Sequence, residues 1–123
     1  MAPLAERLAG RTLELVDIPS ESRHEDEVRA HVRSLVPDAF RPDTVLEDAA
    51  LYVRERRPGA PLVVLAGHYD TVPAQDNLPG RIEAGAVHGL GATDMKGGVA
   101  VALELARDLA GQPPGRYDVA LLL

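Results

Sequence analysis

The sequence predicts an α/β fold in which helices cover a largely parallel β-sheet. Two apolar runs, at residues 62–66 and 117–123, have the composition of strands that are buried on both faces. Strands of this kind are typical of parallel sheets that helices cover on each side. Amphipathic helical patterns lie before the first run and between the two runs, and they provide the predicted cover.

Two helices are predicted in the N-terminal part of the chain. Apolar residues at helical spacing indicate a first amphipathic helix over residues 3–17, which Pro19 ends. Ser22 and Glu25 then form a Ser-x-x-Glu capping box, which predicts the start of a second helix. Pro37 ends this second helix.

The middle of the chain is predicted to contain strands and loops. Residues 50–56 alternate apolar and charged side chains, which indicates a half-buried edge strand. Residues 62–66 form a continuous apolar strand after a Pro-Gly turn. Prolines, an asparagine and a glycine predict a loop over residues 71–81, and residues 82–89 predict a small hairpin that turns at Gly85.

A third helix is predicted over residues 95–110, where apolar residues recur at helical spacing before Gly111. The last strand begins at Tyr117 and runs to the end of the sequence. A fully apolar strand favours a central place in a sheet, because an unpaired apolar edge promotes aggregation. We therefore expect residues 1–123 to be the N-terminal part of one longer domain, since no linker or repeat divides them.

Composition excludes several classes of function. The formal net charge is −6 and no basic cluster is present, which argues against nucleic acids and anionic membranes as partners. Aromatic residues make up only 3%, so stacking platforms for bases or sugars are not expected. The chain has no cysteine, which excludes disulfides, thiolate zinc sites and cysteine nucleophiles. Any metal ion must therefore be held by His, Asp or Glu.

The N-terminal sequence indicates a cytoplasmic protein. Charged residues at Glu6, Arg7, Arg11 and Glu14 interrupt its apolar stretch, whereas a signal peptide needs an uninterrupted apolar centre. No apolar run approaches the roughly 18–20 residues that cross a bilayer, so no membrane partner is expected.

Three side chains are candidates for a metal site. His68 and Asp70 follow the predicted strand 62–66, at the carboxyl end where open α/β sheets bind ligands. Residues two apart in an extended segment point to the same side, so Asp70 is placed to accept a hydrogen bond from His68. Asp94 adds a carboxylate between the glycine-rich sequence GLG and the third helix. An imidazole and two carboxylates in such places suit a hard or borderline metal ion.

Simpler interpretations of these residues stay open at this point. The spacing alone also fits a surface His68 beside a turn-forming Asp70, and Asp94 fits the N-cap of the third helix. The sequence GLGATD shares two glycines with a dinucleotide-binding fingerprint. It lacks the third glycine, however, and it follows a short hairpin rather than the first buried strand, which argues against that function.

Two segments together, GHYDTVP and GLGATDMKGG, resemble the co-catalytic zinc aminoacylase and carboxypeptidase family. The resemblance extends over nearly the whole chain and, within the family, is greatest to the desuccinylases of lysine biosynthesis. It implies a single catalytic domain that binds two zinc ions, with cobalt or manganese as alternatives. His68 is implied as a ligand of one ion, and Asp94 as the ligand that bridges both, with a cis peptide bond to Met95. Asp70 is implied as the catalytic carboxylate behind His68.

The resemblance also implies a reaction, the metal-dependent hydrolysis of the amide bond of a small N-acyl amino acid. The leading substrate is N-succinyl-LL-2,6-diaminopimelate, with succinate and diaminopimelate as products. The catalytic base, the remaining ligands and a lid domain that forms a homodimer are expected beyond residue 123, so the chain alone is expected to be inactive. Tyr69 and Leu90 depart from the usual family pattern and leave the substrate open. Alternatives are an acetylornithine deacetylase or a carboxypeptidase on the same scaffold, and a non-catalytic binding module.

The other ionisable residues carry weaker signals. His24 and His31 are expected to face solvent from the second helix, and His88 to be a surface or packing residue of the hairpin. Lys96 stands at the start of an apolar helix and is expected to be structural.

Overall fold

The computed structural model describes residues 2–123 and shows an α/β fold, as the sequence predicts. Three α-helices and six strands follow one another along this part of the chain. In order they are α1 (Leu4–Val16), α2 (Asp26–Leu35), β1 (Arg41–Val45), β2 (Ala50–Val53), β3 (Leu62–Ala66), β4 (Arg81–Glu83), β5 (Ala86–His88), α3 (Gly97–Ala110) and β6 (Asp118–Leu122). None of the helices in residues 2–123 is long and apolar enough to cross a bilayer.

The main sheet is mixed, with the strand order β1-β2-β6-β3. Only β3 and β6 pair in parallel, whereas β1 with β2 and β2 with β6 pair antiparallel. The prediction of a largely parallel sheet is therefore wrong for these strands. For β1 and β2 the physical reason is the short connection at residues 46–49, because a parallel crossover needs a dozen or more residues. A separate hairpin of β4 and β5 turns at Ala84 and Gly85, as predicted for this segment.

β2 lies inside the sheet, between β1 and β6, and the prediction of an edge strand at 50–56 is wrong. Its alternation is real, since Ala50 and Tyr52 are buried while Leu51 and Val53 are half-buried. The edge is formed instead by β1, whose five residues are all exposed. This strand has the sequence RPDTV, and its proline and charged residues gave no strand pattern that the sequence analysis could use.

β3 lies at the other edge and is exposed, where the sequence predicted burial on both faces. Leu62, Val63 and Val64 expose 42%, 39% and 45% of their surface. Among the described residues β3 pairs only with β6, which occupies the central place that was predicted for it. An apolar run indicates that a segment is a strand, but it does not show how many strands or helices pack against it. The burial of β3 could therefore not be predicted from its own sequence.

α2 begins at Asp26, and the predicted capping box is not formed. Its N-cap is Glu25, without a side-chain cap, and Glu25 Oε1 accepts the backbone N–H of Arg23 at 2.7 Å. Ser22 has other partners, because its backbone N–H donates to the carbonyl of Thr71 at 3.0 Å. A short parallel bridge at Glu21 and Thr71 therefore replaces the cap.

The hydrophobic core joins the three helices to the central strands. Leu15 of α1, Val28 of α2, Leu103 of α3 and Leu121 of β6 are fully buried in one cluster. Burying one such side chain contributes about 1.5–3 kcal/mol. The core thus fixes the helices relative to β6, whose carboxyl end lies beside the candidate site.

The start of β6 is held by charged groups. The buried carboxylate of Asp118 accepts hydrogen bonds from Arg57 Nε at 2.8 Å and from Arg56 Nη1 at 3.0 Å. The backbone N–H of Arg57, followed by the two guanidinium groups, lowers the pKa of Asp118. No local pattern connects these arginines with Asp118, because 61 and 62 positions separate the partners.

Candidate metal centre

His68 stands directly beyond β3, at the carboxyl end of the parallel strand pair. Gly67 continues the ladder, since its N–H donates to the carbonyl of Leu122 at 3.0 Å. A Cβ atom at Gly67 would lie 3.2 Å from side-chain atoms of Met95 and of Val99, so the backbone at Gly67 is closely packed. The imidazole of His68 therefore lies at the edge of the sheet where open α/β proteins bind ligands.

Asp94 lies in an irregular turn, Ala92–Lys96, that precedes α3. Its φ and ψ of −129° and 90° are not helical, and Lys96 is the N-cap residue of α3. The interpretation of Asp94 as a helix cap is therefore wrong. The Asp94–Met95 peptide bond is cis, as the family resemblance implied.

Gly91 makes this turn compatible with its surroundings. Its φ of +74° lies in the left-handed region, which strains residues with a side chain. A Cβ atom there would also stand only 2.6 Å from Cγ2 of Thr71. Glycine at position 91 thus allows the turn of Asp94 to approach the segment that carries His68 and Asp70.

The structure brings the three predicted side chains together. Nε2 of His68 lies 2.9 Å from Oδ1 of Asp94, and Nδ1 of the same ring lies 3.0 Å from Oδ1 of Asp70. Each imidazole nitrogen thus faces one carboxylate. Their roles as metal ligands and as orienting carboxylate stay predictions, but the convergence that those roles require is present.

Ser22 is a fourth member of this cluster, and the sequence analysis missed it. Its hydroxyl donates to Oδ2 of Asp70 at 2.5 Å. This hydrogen bond, together with the neighbouring His68, lowers the pKa of Asp70. The Ser-x-x-Glu pattern had a local explanation as a cap, and no spacing connects residue 22 with residue 70.

Lys96 holds the far side of the turn, in agreement with the expected structural role. It is only 1% exposed, and its Nζ donates to the carbonyls of Leu15 at 2.7 Å and Ile18 at 2.8 Å. Leu15 lies in the last turn of α1 and Ile18 follows the helix, and the carbonyl of Leu15 also accepts the N–H of Ile18 at 3.3 Å. Burial lowers the pKa of Lys96 to about 8.

The other histidines lie outside the cluster. His31 is not simply solvent-facing, because its Nε2 contacts Oε1 of Glu14 and so connects α2 with α1. His88 is exposed on the hairpin, where its Nε2 lies 3.3 Å from the carbonyl of Glu83. His24 is exposed, as expected.

A cleft of about 420 Å³ opens beside the cluster. Its volume falls within the range of about 300–1,000 Å³ that is typical of small-molecule sites. His68, Asp70 and Asp94 line it together with Ser22 and the glycine-rich segment 89–93. The candidate ligands therefore face a space that a small molecule can enter.

The donors fit a divalent metal ion, although residues 2–123 provide no group of three or more His, Cys, Asp or Glu side chains that could hold one. In tetrahedral coordination, Zn–N and Zn–O distances of about 2.0–2.2 Å place two ligands of one ion about 3.3–3.6 Å apart. The 2.9 Å between His68 Nε2 and Asp94 Oδ1 is a hydrogen-bond distance, shorter by about half an ångström, so these side chains need to separate only slightly to share an ion. The two side chains are 48% and 86% exposed, so ions can reach both from solvent.

The second half of the chain matches a known protein family, and several curated proteins are similar to most of the chain. Residues 64–123 match the model of peptidase family M20/M25/M40. A putative succinyl-diaminopimelate desuccinylase of Mycobacterium tuberculosis is 46% identical over 103 residues, which cover 80% of this chain and 28% of that protein. The succinyl-diaminopimelate desuccinylase of Corynebacterium glutamicum is 37% identical over 113 residues, covering 90% and 31%. A [LysW]-lysine hydrolase of Deinococcus radiodurans is 38% identical over 101 residues, covering 79% and 27%.

Solved structures share the fold. A tripeptidase of Staphylococcus aureus superposes with a TM-score of 0.77 at 22% identity, over 96% of this chain and 35% of that one. A dinuclear metal-binding peptidase of Bacillus subtilis superposes with a TM-score of 0.62 at 18% identity, over 97% and 34%. The chain thus spans about a third or less of the length of these proteins.

Proposed function

We propose that this chain, whose residues 64–123 match the model of peptidase family M20/M25/M40, forms part of the metal centre of an amide-bond hydrolase of that family. The observation that carries the proposal is the 2.9 Å approach of His68 Nε2 to Asp94 Oδ1 at the wall of the cleft. The relatives in the comparison are named as hydrolases or desuccinylases, which supports this class of reaction.

Each residue has a defined part in this proposal. His68 and Asp94 hold the metal, with two zinc ions as the leading occupants and cobalt or manganese as alternatives. When bound, such ions polarise an amide carbonyl and lower the pKa of a coordinated water. Asp70 accepts the Nδ1 proton of His68, which fixes the tautomer that leaves Nε2 free as a ligand.

The leading substrate is N-succinyl-LL-2,6-diaminopimelate, which would yield succinate and diaminopimelate. Its support is the naming of the two desuccinylase relatives. The Deinococcus relative, named a [LysW]-lysine hydrolase, favours a second candidate, the hydrolysis of a lysine conjugate of that kind. An acetylornithine deacetylase or a carboxypeptidase would use the same two ligands, and homodimer formation and a cytoplasmic location stay predictions.

Both departures from the family pattern lie next to the candidate site. Tyr69 is 7% exposed and lines a second cavity together with His68 and Asp70. Leu90 is 8% exposed and lines the cleft with the same two residues. Both positions are therefore placed to influence the choice of substrate.

Zinc binding tests the metal centre, and it is measured in a chimera in which this chain replaces the matching segment of the Corynebacterium desuccinylase, so that the remaining ligands are supplied. Calorimetric titration of the chimera should show binding that His68→Ala reduces by about tenfold or more, because a ligand is lost. His88→Ala, which alters an exposed histidine outside the cleft wall, should bind zinc as the wild type does. Equal affinities in all three proteins would disprove the metal centre.

The same chimera, with this chain in place of the matching segment of the Corynebacterium desuccinylase, tests the reaction. It would be assayed with succinyl, acetyl and peptide substrates. We expect desuccinylation that His68→Ala abolishes and His88→Ala preserves. Preference for another acyl group would show that the proposed substrate is wrong, while the proposed hydrolase activity would stand.

A further inference from the structure

We propose that Ser22 is a positioning residue of the metal centre, which holds the carboxylate of Asp70 and, through it, the imidazole of His68. The inference rests on the proposed function, because it takes His68 as a metal ligand. It adds a residue far from the glycine-rich and histidine-containing motifs.

The two oxygens of Asp70 have different partners. Oδ2 accepts the hydroxyl of Ser22 at 2.5 Å, and Oδ1 lies 3.0 Å from Nδ1 of His68. An aspartate whose carboxylate has no partner can occupy several χ1 wells, and its terminal torsion is broad. A donor on Oδ2 therefore selects one χ1 rotamer and fixes the plane of the carboxylate, so that Oδ1 stays directed at the imidazole.

The backbone around Ser22 is fixed to both sides of Asp70. The hydroxyl of Ser20 donates to the carbonyl of Tyr69 at 2.7 Å, and the N–H of Thr71 donates to the carbonyl of Ser20 at 2.9 Å. The N–H of Ser22 then donates to the carbonyl of Thr71 at 3.0 Å. These three hydrogen bonds place the short side chain of Ser22 beside Asp70 without any contribution from α2.

A structural role for the Ser22 hydroxyl has less support. It does not cap α2, which begins at Asp26, and residue 22 is exposed. Its other contact, to the carbonyl of Thr71, is longer at 3.3 Å, and that carbonyl already accepts the N–H of Ser22. Hydrogen bonds at exposed positions contribute little to folding, so removal of this hydroxyl should leave the fold intact. The orientation of Asp70 and the stability of the chain are therefore separable by mutation.

The test compares Ser22→Ala with Ser22→Thr, which keeps the hydroxyl, and with Ser34→Ala. Ser34 is a matched control, because its exposed hydroxyl donates only to the carbonyl of His31 in its own helix. Zinc affinity is measured by calorimetry, the Asp70 side-chain rotamer by NMR couplings in the metal-free chain, and stability by thermal unfolding.

We expect Ser22→Ala to weaken zinc binding about three- to tenfold, somewhat less than the loss of a direct partner of a ligand. Asp70 should populate several rotamers in this variant, whereas Ser22→Thr should retain one rotamer and bind zinc within about twofold of the wild type. Ser34→Ala should match the wild type in both measurements.

A single unchanged Asp70 rotamer in Ser22→Ala would overturn the proposal, whatever the zinc result. So would a loss of affinity that Ser34→Ala shares, or one that Ser22→Thr fails to rescue. His68→Ala distinguishes failure of the proposed metal centre from failure of the proposed role of Ser22. If this variant leaves zinc affinity unchanged, the proposed metal centre fails. The rotamer of Asp70 then still decides whether Ser22 positions that carboxylate.

Discussion

His68 Nε2 and Asp94 Oδ1 lie 2.9 Å apart, although 26 positions separate the residues in sequence. One side chain follows an edge strand, and the other follows a glycine-rich turn. Their approach depends on close backbone contacts at Gly67 and Gly91, where added side chains would meet Val99, Met95 or Thr71. The site is therefore a product of packing between two loops, and its predictions concern both loops.

Asp94→Asn should weaken zinc binding by about tenfold or more, because an amide is a poorer ligand than a carboxylate. The side chain is 86% exposed, so the free energy of unfolding should change by no more than about 0.5 kcal/mol. Calorimetric titration and urea unfolding measure the two quantities. Asp43→Asn on the exposed strand β1 is the control, and equal zinc affinity in both variants would contradict the prediction.

Gly91→Ala should destabilise the chain by about 1–3 kcal/mol, because alanine is strained at a φ of +74°. The added methyl group would also collide with Thr71 and move the turn of Asp94, so zinc binding should weaken as well. Gly115→Ala is the matched control, since a Cβ there meets no atom within 4 Å. Similar unfolding curves for the two variants would refute the steric argument.

Lys96→Met should cost roughly 1–3 kcal/mol of stability, because the carbonyl of Ile18 loses its hydrogen bond, whereas that of Leu15 keeps the N–H of Ile18. Methionine has a similar length, so the loss would reflect the hydrogen bonds more than the volume. Arg81→Met removes a positive charge from an exposed hairpin residue and should have little effect. Chemical unfolding at neutral pH compares the variants, and a Lys96→Met chain as stable as Arg81→Met would oppose this account.

Asp118 should make the chain sensitive to acid. Its pKa in the folded chain lies below the ordinary value of 3.8, so the unfolded state binds more protons at acid pH. Its contribution is therefore complete above the unfolded pKa and is lost as the pH falls through the folded pKa. Unfolding followed from pH 6 to pH 2 should show a steeper loss in the wild type than in Asp118→Asn. A variant with an unchanged slope would exclude Asp118 as the cause.

Local patterns predicted the helices and the hairpin well. α1, α3 and the β4–β5 hairpin have periodic or turn sequences that depend on near neighbours. The order of the strands depends on distant pairing, so the interior place of β2 and the edge place of β3 could not be deduced. β1 was missed because its exposed residues show no alternation.

The candidate site divides in the same way. His68, Asp70 and Asp94 were found because each carries a recognisable residue type within a motif. Ser22 was not found, because its hydrogen bond to Asp70 forms only when two remote segments meet. A serine is also common at the start of a helix, where it caps backbone N–H groups, and this local interpretation of Ser22 left no reason to expect a hydrogen bond to a remote residue.

The hydrogen bonds of Arg56 and Arg57 to Asp118 also help to fix the register of β6. A shift of β6 by one residue would turn its inward side chains outward, and these hydrogen bonds oppose such a shift from the end of the strand that lies away from the cleft. The other end of the same strand receives the N–H of Gly67, the residue before His68. Two arginines at the opposite end of the sheet thus help to determine the position of the His68 imidazole along the strand direction.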